Sequence, residues 1–311
     1  MKKLLFIINP SAGKKHIKGR LFEIVDQFVK SDYQVRVHPT QAKGDATEII
    51  KREGTLYDQI VCAGGDGTLD EVVTGCMQCG CDTPIGYIPC GTTNDFARSL
   101  GIPKDPIRAA RRITKYQPEP IDIGAFFAQD QKGEDGEMLA VPKTDYFVYV
   151  AAFGAFTDVT YTTPQEYKNH LGHMAYVLEG IRSIPTLTSY RLKVTYDGQE
   201  IEEQDYFIGM VTNSLTVGGF QNPNSKIAEL DDGLFEVLLV KYPTNPLDLQ
   251  ATVSAYMMGE FNKEYMYQFK AKRIMIESAE PIAWTLDGEY GGTCTKVEVV
   301  NEHHALKIVK K

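Results

Sequence analysis

The chain of 311 residues is long enough for two domains of ordinary size. Its 43 % hydrophobic and 24 % charged residues match a globular fold in water, and the apolar run at residues 4–8 falls far short of the roughly 20 residues that cross a bilayer. A net charge of −8 argues against a general nucleic-acid binder, because such proteins work through basic patches.

Residues 2–8 read as a buried strand, and Asn9-Pro10-Ser11-Ala12-Gly13 as a turn. Met1-Lys2-Lys3 resembles the start of a signal segment, but the apolar part is too short and no small-residue cleavage site follows, so a cytoplasmic protein is expected. Leu21, Ile24, Val25, Phe28 and Val29 recur at helical spacing within residues 18–31. Residues 33–38 alternate as a strand. After a loop at 40–44, Asp45 stands where an N-cap would open a helix to residue 52. Residues 59–63 form an apolar, β-branched strand that ends abruptly in Gly64-Gly65-Asp66-Gly67-Thr68. Leu69, Val72, Val73 and Cys76 then mark a helix to about residue 77. Residues 84–89 are a further strand, followed by the polar turn Cys90-Gly91-Thr92-Thr93-Asn94, a short helix at 95–100 and a helix at 105–115. This alternation of strands and helices predicts a parallel sheet covered on both faces. Ligands of such sheets lie outside the carboxyl ends of the strands, where the turns after the first, third and fourth strands fall.

From residue 121 the pattern changes. Strand-like runs occupy residues 121–127, 146–153, 191–196, 206–212, 235–241, 273–277 and 296–300. Asp197-Gly198 is a hairpin signal, and the acidic residues 130–137 read as an exposed hairpin tip. Helices are expected at 165–183 and 247–258. The second half is therefore mainly antiparallel, a β-sandwich or partly closed barrel. The expected division is an α/β domain at 1–121, possible completion of that domain by 301–311 as a returning edge strand, and a β-sandwich at 122–300.

The turn Gly64-Gly65-Asp66-Gly67-Thr68 carries the strongest chemical signal. Glycines let backbone N–H groups approach an anion, and the start of a helix adds its positive dipole end. A carboxylate beside phosphate calls for a cation, which makes Asp66 a candidate Mg²⁺ ligand. The Walker A spacing is absent, because the segment around Lys14 lacks its first glycine. Among the cysteines, Cys76, Cys79 and Cys81 are closely spaced, but a second pair at a zinc-site distance is missing and reduced thiols are expected. Lys14, Lys15, His16, Lys18 and Arg20 form one basic cluster and Arg108, Arg111, Arg112 and Lys115 another; each fits either a solvated face or contact with an anionic membrane. His170 and His173, three apart on the expected helix, and the pair His303-His304 read as surface residues.

Gly64-Gly65-Asp66-Gly67-Thr68 together with Pro89-Cys90-Gly91-Thr92-Thr93-Asn94-Asp95-Phe96-Ala97-Arg98 resembles the soluble diacylglycerol kinase-type lipid kinases. That superfamily includes sphingosine and ceramide kinases, with NAD kinases and phosphofructokinases as distant relatives. Asn9-Pro10-Ser11-Ala12-Gly13, Leu230-Asp231-Asp232-Gly233-Leu234 and Leu286-Asp287-Gly288-Glu289 extend the resemblance, in family order, over nearly the whole chain. It implies an α/β domain with a glycine-rich nucleotide loop, a β-sandwich, and an active site in the cleft between them, with ATP and Mg²⁺ as co-substrate and cofactor.

By that resemblance Asn9, Ser11 and Gly13 touch the nucleotide phosphates and Thr40 borders the nucleotide. Gly64, Gly65, Gly67 and Thr68 line the loop, and Asp66 holds the ATP-bound Mg²⁺. Thr92 and Asn94 lie near ATP, and Asp95 joins the metal network. Asp287 is the general base and Glu289 orients metal or base. Glu229, Asp232 and the Leu234 carbonyl hold a second, structural Mg²⁺. Thr93 stands where the family commonly has glycine. Asp95 also fits a simple N-cap, and Asp287-Gly288 a simple hairpin turn.

The expected function is an ATP- and Mg²⁺-dependent kinase that phosphorylates diacylglycerol to phosphatidic acid. It would be peripheral to the membrane, with residues 146–156 and 165–183 walling an acyl groove, and a homodimer is an expectation from the family resemblance alone. The alternatives are another acceptor (a sphingoid base, a ceramide or NAD) and a nucleotide- or lipid-binding regulator without turnover.

Overall fold

The apolar runs near the start of the chain become parallel strands. β1 (Lys2–Ile8) lies between β2 (Tyr33–Pro39) and β3 (Gln59–Gly64), and β4 (Ile85–Pro89) pairs with β3 from Ile60↔Ile85 to Gly64↔Pro89. In this computed structural model the described residues are 1–12, 16–92, 94–129, 144–154, 187–214, 216–217, 220–221, 229–258 and 262–310. They form two units, Met1–Ile123 with His303–Lys311, and Gly124–Glu302.

In the first unit Leu4, Leu5, Phe6, Ile7, Ile60, Val61, Cys62 and Ile88 are wholly enclosed, as strands of a parallel sheet covered on both faces must be. The crossovers are α1 (His16–Lys30), α2 (Asp45–Glu53) and α3 (Asp66–Cys79), followed after β4 by α4 (Asp95–Ser99) and α5 (Pro106–Lys115). Asp105 caps α5 by accepting from the Arg108 amide at 2.8 Å, with Pro106 at the first helical position. The start of α2 differs from the expectation. Its N-cap is Gly44, at φ 85°, and Asp45 is its first helical residue. Glu71 on α3 does the capping, accepting from the Gly44 amide at 2.9 Å and the Ala46 amide at 3.2 Å. A carboxylate brought by a neighbouring helix has displaced the local cap.

The second unit is mainly antiparallel. Its strands are the end of β5 (Glu119–Gln129), β6 (Thr144–Phe147), β7 (Val150–Gly154), β8 (Tyr190–Tyr196), β9 (Gln199–Thr212), the short β10 (Thr216–Val217) and β11 (Phe220–Gln221), β12 (Phe235–Lys241), β13 (Met266–Ala271), β14 (Arg273–Leu286) and most of β15 (Glu289–Ile308). The order β13-β12-β9-β7-β14-β15 is antiparallel at every step, and α6 (Pro246–Met258) is its described helix. The sequence suggested one strand at 146–153. The chain instead breaks into β6 and β7, with Val148 and Tyr149 between them. Trp284 anchors the core, edge-on to Phe153 at 4.9 Å and to Phe126 at 5.3 Å. β15 runs on past the unit boundary, and Ile308 pairs in parallel with Ile85 of β4. The expected acidic tip at 130–137, the helix at 165–183 and the outer part of the apolar stretch 146–156 lie outside the described residues.

Replacing Trp284 with Ala is expected to remove about 3–5 kcal/mol from the second unit. The readout is a lower urea midpoint by circular dichroism. An unchanged midpoint would show that this ring does not hold the sandwich core.

Candidate functional site

Two polar turns meet at the carboxyl ends of β3 and β4 in the first unit. Their backbones touch. A Cβ on Gly91 would stand 2.7 Å from the Gly65 Cα, and one on Gly64 would stand 2.4 Å from the Thr68 hydroxyl. No side chain larger than hydrogen fits at either place. Hydrogen bonds lock the pair. The Cys90 amide donates to the Gly64 carbonyl at 2.7 Å. The Asn94 side chain accepts from the Gly91 amide at 2.9 Å and donates to the Gly91 carbonyl at 2.7 Å. The Tyr87 hydroxyl lies 3.3 Å from both the Gly64 carbonyl and the Asn94 side-chain oxygen, which ties the two turns together from below.

The turn after β1 joins them. The Asn9 amide donates to the Ala63 carbonyl at 2.9 Å, and its side chain donates to the Thr68 hydroxyl at 3.0 Å. The same side chain accepts from the Ser11 amide at 2.9 Å, an Asx turn. The Thr40 amide donates to the Ile8 carbonyl at 2.9 Å, which places Thr40 beside Asn9. Asn9, Ser11, Thr40, Gly64, Gly65, Asp66, Gly67, Thr68, Thr92, Asn94 and Asp95 therefore belong to one edge of one sheet. Gly13 and Thr93 lie outside the described residues. Helix α3 begins here with no side chain capping it. Uncapped first-turn amides and the positive dipole end make such a start an anion site.

Asp66 is the first residue of α3. Its Oδ2 accepts from the Asp95 amide at 3.1 Å. Its Oδ1 is buried and, among the described residues, has no hydrogen-bond partner. Asp95 is 2 % exposed, and the Arg98 guanidinium stands 3.9 Å from its carboxylate. Burial, and then the neighbouring Asp95 charge, push the Asp66 carboxyl up to about 6. Two close carboxylates and an unpartnered buried oxygen are the environment a divalent cation relieves, and the hard oxygen donors suit Mg²⁺. The residues present fit that ion.

In the second unit Asp287 is 5 % exposed, in a left-handed conformation at φ 50° in the β14–β15 turn. Its Oδ2 accepts from the Val148 amide at 2.6 Å, and its Oδ1 from the Tyr149 and Val150 amides at 3.0 and 2.9 Å. The gap between β6 and β7 follows from this. These amides turn to a carboxylate instead of a neighbouring strand. The Tyr149 hydroxyl donates to the Asp287 carbonyl at 3.1 Å. Glu289, two residues on, is exposed.

Of the second metal set that the resemblance implies, Asp232 and Leu234 lie together. Asp232 Oδ1 accepts from the Leu234 amide at 3.0 Å, and its Oδ2 stands 2.6 Å from the Lys270 ammonium. The same ammonium lies 3.4 Å from Glu236, which is wholly enclosed. Burial, opposed by Lys270, raises the Glu236 carboxyl to about 7. Glu229 is exposed. Among the described residues the cation beside Asp232 is the Lys270 ammonium. Cys76 and Cys81 form a buried hydrogen-bonded thiol pair that lowers the Cys81 thiol to about 6, while Cys79 is exposed. His170 and His173 lie outside the described residues.

Sequence reasoning missed Tyr87, Lys270, Glu236 and the 148–150 amides. Tyr87 left one signal, a phenol in an otherwise aliphatic strand, since a buried hydroxyl needs a partner. The others left none.

Residues 3–126 match the diacylglycerol kinase catalytic domain, and residues 151–310 match the YegS C-terminal NAD kinase beta sandwich-like domain. A diacylglycerol kinase of Bacillus subtilis is 33 % identical over 99 % of this chain and 96 % of its own length. One from Staphylococcus carnosus is 34 % identical over 94 % of this chain and 90 % of its own. A crystal structure of a Bacillus anthracis diacylglycerol kinase superposes with a TM-score of 0.76 at 25 % identity, covering 100 % of this chain and 97 % of that one. An Archaeoglobus fulgidus NAD kinase, solved with ATP, shares the fold at 12 % identity and a TM-score of 0.52, over 100 % of this chain and 94 % of that one.

Two stability measurements test these environments. The folded Asp66 carboxyl, at about 6, lies above its ordinary value of 3.8. The folded state therefore holds the proton longer, and stability is lost as pH rises through that window. In EDTA, Asp66→Asn is expected to stabilise the first unit by up to about 3 kcal/mol at pH 8 and by nothing near pH 4. Equal thermal midpoints of variant and parent at pH 8 would refute the buried charge. Lys270→Met is expected to cost about 3–5 kcal/mol at pH 8 by stranding Glu236. The loss should shrink below pH 7, where that carboxyl is protonated, and Glu236→Gln should restore most of it. A Lys270→Met midpoint independent of pH would refute the pairing.

Proposed function

The chain belongs to the diacylglycerol kinase family of lipid kinases, and we propose that its reaction moves the γ-phosphoryl group of ATP, with Mg²⁺, onto the free hydroxyl of 1,2-diacylglycerol to give phosphatidic acid. The observation that carries this reading is the Asp66 oxygen, buried without a hydrogen-bond partner among the described residues at the mouth of two interlocked glycine turns. A polar atom is left so only at a cost, and a cation held by Asp66 would offset it.

Each residue then has a task. The amides of Gly65 and Gly67 and the start of α3 take the phosphate oxygens. Asn9, Ser11, Thr40, Thr92 and Asn94 border the nucleotide. Asp66, with Asp95 behind it, holds the cation. When bound, that ion neutralises charge on the phosphate oxygens as the bond to the leaving group loosens. Asp287 accepts the proton of the lipid hydroxyl on a carboxylate oxygen as the hydroxyl oxygen bonds to phosphorus. The three amides from 148–150 replace the water that Asp287 loses on burial and hold its plane fixed, as a positioned base requires. Glu289 stands beside it in sequence and would orient metal or base.

The lipid acceptor implies work at a membrane surface. No described helix is long and apolar enough to cross a membrane. Helix α5 buries Ala109, Ala110 and Ile113 and leaves Arg108, Arg111 and Lys115 exposed. That basic face suits an anionic lipid surface.

The test is transfer of labelled γ-phosphate from ATP to diacylglycerol, ceramide or a sphingoid base in mixed micelles, and to NAD in solution, with and without Mg²⁺. Labelled phosphatidic acid that needs Mg²⁺ is the expected outcome. Label in another acceptor alone would overturn the substrate, and ATP binding without any label would favour a regulator. Asp287→Ala is expected to lower kcat by about 10²–10⁴ while ATP still binds. Fluorescence of the single tryptophan, Trp284 in the sandwich core, reports whether that unit keeps its fold. Full turnover in a folded variant would remove Asp287 from the base role.

A further inference from the structure

At one end of the first unit, where β5 and β15 pair, three side chains with metal-ligand chemistry come together. Asp122 is wholly enclosed on β5. The ligand atoms of Asp122, His303 and His304 all lie within 4.8 Å of one another. His303 Nδ1 stands 3.0 Å from Asp122 Oδ1, and the His304 amide donates to the same oxygen at 2.8 Å. Both imidazoles are exposed.

The backbone departs from regular strand geometry here. Consecutive strand residues send their side chains to opposite faces. His303 and His304 do not. Their rings are stacked at 3.6 Å with 27° between planes. His304 has a φ of 53°, a left-handed conformation that a residue with a Cβ adopts only at a cost. That single torsion swings the second ring round to join the first over Asp122.

We propose that Asp122, His303 and His304 form a binding site for a transition-metal dication of the zinc class. Two imidazoles and a carboxylate suit Zn²⁺, Co²⁺ or Ni²⁺, whereas Mg²⁺ prefers oxygen donors throughout. The spacing agrees. Ligands at about 2.1 Å from a metal stand about 3.0 Å apart at a right angle and about 3.4 Å apart at the tetrahedral angle. The 3.0 Å between His303 Nδ1 and Asp122 Oδ1 falls at the start of that range. Binding replaces the proton shared by those two atoms, which leaves to solvent, so affinity falls with acidity. Water completes the coordination, because the rings face solvent. The ion would cross-link β5 to β15 at Asp122 and His303, next to the points where both strands pass out of the first unit, after Ile123 and before His303. This site is separate in residues and in metal preference from the one at Asp66.

The experiment is calorimetric titration of the tag-free full chain with Zn²⁺ in excess Mg²⁺, repeated with Co²⁺ followed by visible absorption. One equivalent should bind per chain. The Co²⁺ form should show d–d bands without the near-ultraviolet sulfur-to-cobalt band that the cysteines Cys76, Cys79 and Cys81 would give. His303→Ala/His304→Ala changes two exposed side chains and should lose at least about tenfold in affinity. His170→Ala/His173→Ala should bind as the parent does. Absence of binding by the parent chain, unchanged affinity in the His303/His304 variant, loss of binding in the His170/His173 variant, or a sulfur-to-cobalt band would each overturn the proposal.

Discussion

The first unit depends on two turns whose backbones touch. Gly65 and Gly91 approach so closely that a Cβ on Gly91 would lie 2.7 Å from the Gly65 Cα. That contact holds the ends of β3 and β4 level, because the Cys90 amide can then reach the Gly64 carbonyl and Asn94 can brace Gly91. The start of α3 is fixed with them, since Thr68 packs into the space that a Gly64 side chain would fill. Asn9 reaches Thr68 from the third turn. A phosphate site needs several amides held at fixed spacing, and close backbone packing provides that rigidity where flexible side chains would not.

Two buried carboxylates are handled in opposite ways. Glu236 is wholly enclosed, and Lys270 stands by it and Asp232. The lysine supplies a permanent positive charge 3.4 Å from Glu236, although neither Glu236 oxygen has a hydrogen-bond partner among the described residues. Asp66 is also largely buried, but its charged neighbour in the turn is another carboxylate, Asp95, and one of its oxygens has no donor among the described residues. A nearby ammonium offsets the cost of burying a carboxylate, whereas a neighbouring carboxylate adds to it. The two acids differ in the sign of the charge beside them although both are in apolar surroundings.

Asp287 represents a third arrangement. Its charge is solvated by backbone amides taken from a strand. The strand is interrupted between β6 and β7, and the amides of Val148, Tyr149 and Val150 face it. The left-handed turn residue and the Tyr149 hydroxyl then hold its own backbone in place. An acid fixed in this way cannot reorient as a flexible surface aspartate does, which is what a group that must meet one proton on one substrate requires.

The chain by itself determined the α/β order of the first half, the antiparallel second half and the glycine turns. Apolar periodicity and turn chemistry are local properties that survive in a string of letters. It also singled out Asp66, a carboxylate in a glycine turn that opens a helix, while the resemblance to the lipid kinases carried Asn9, Thr68 and Asp287. The tertiary structure alone decided what meets what. Glu71 caps α2 from α3 in place of Asp45, and Lys270 lies 38 residues from the Asp232 it neutralises. Val148 gives its amide to an aspartate 139 residues away. His303 and His304 share a face only because one torsion reverses the strand's alternation. Such partnerships are between residues far apart in sequence or rest on a single dihedral angle, and neither leaves a periodic trace. They are set when packing has brought the elements together and every buried charge must find a donor or a cation.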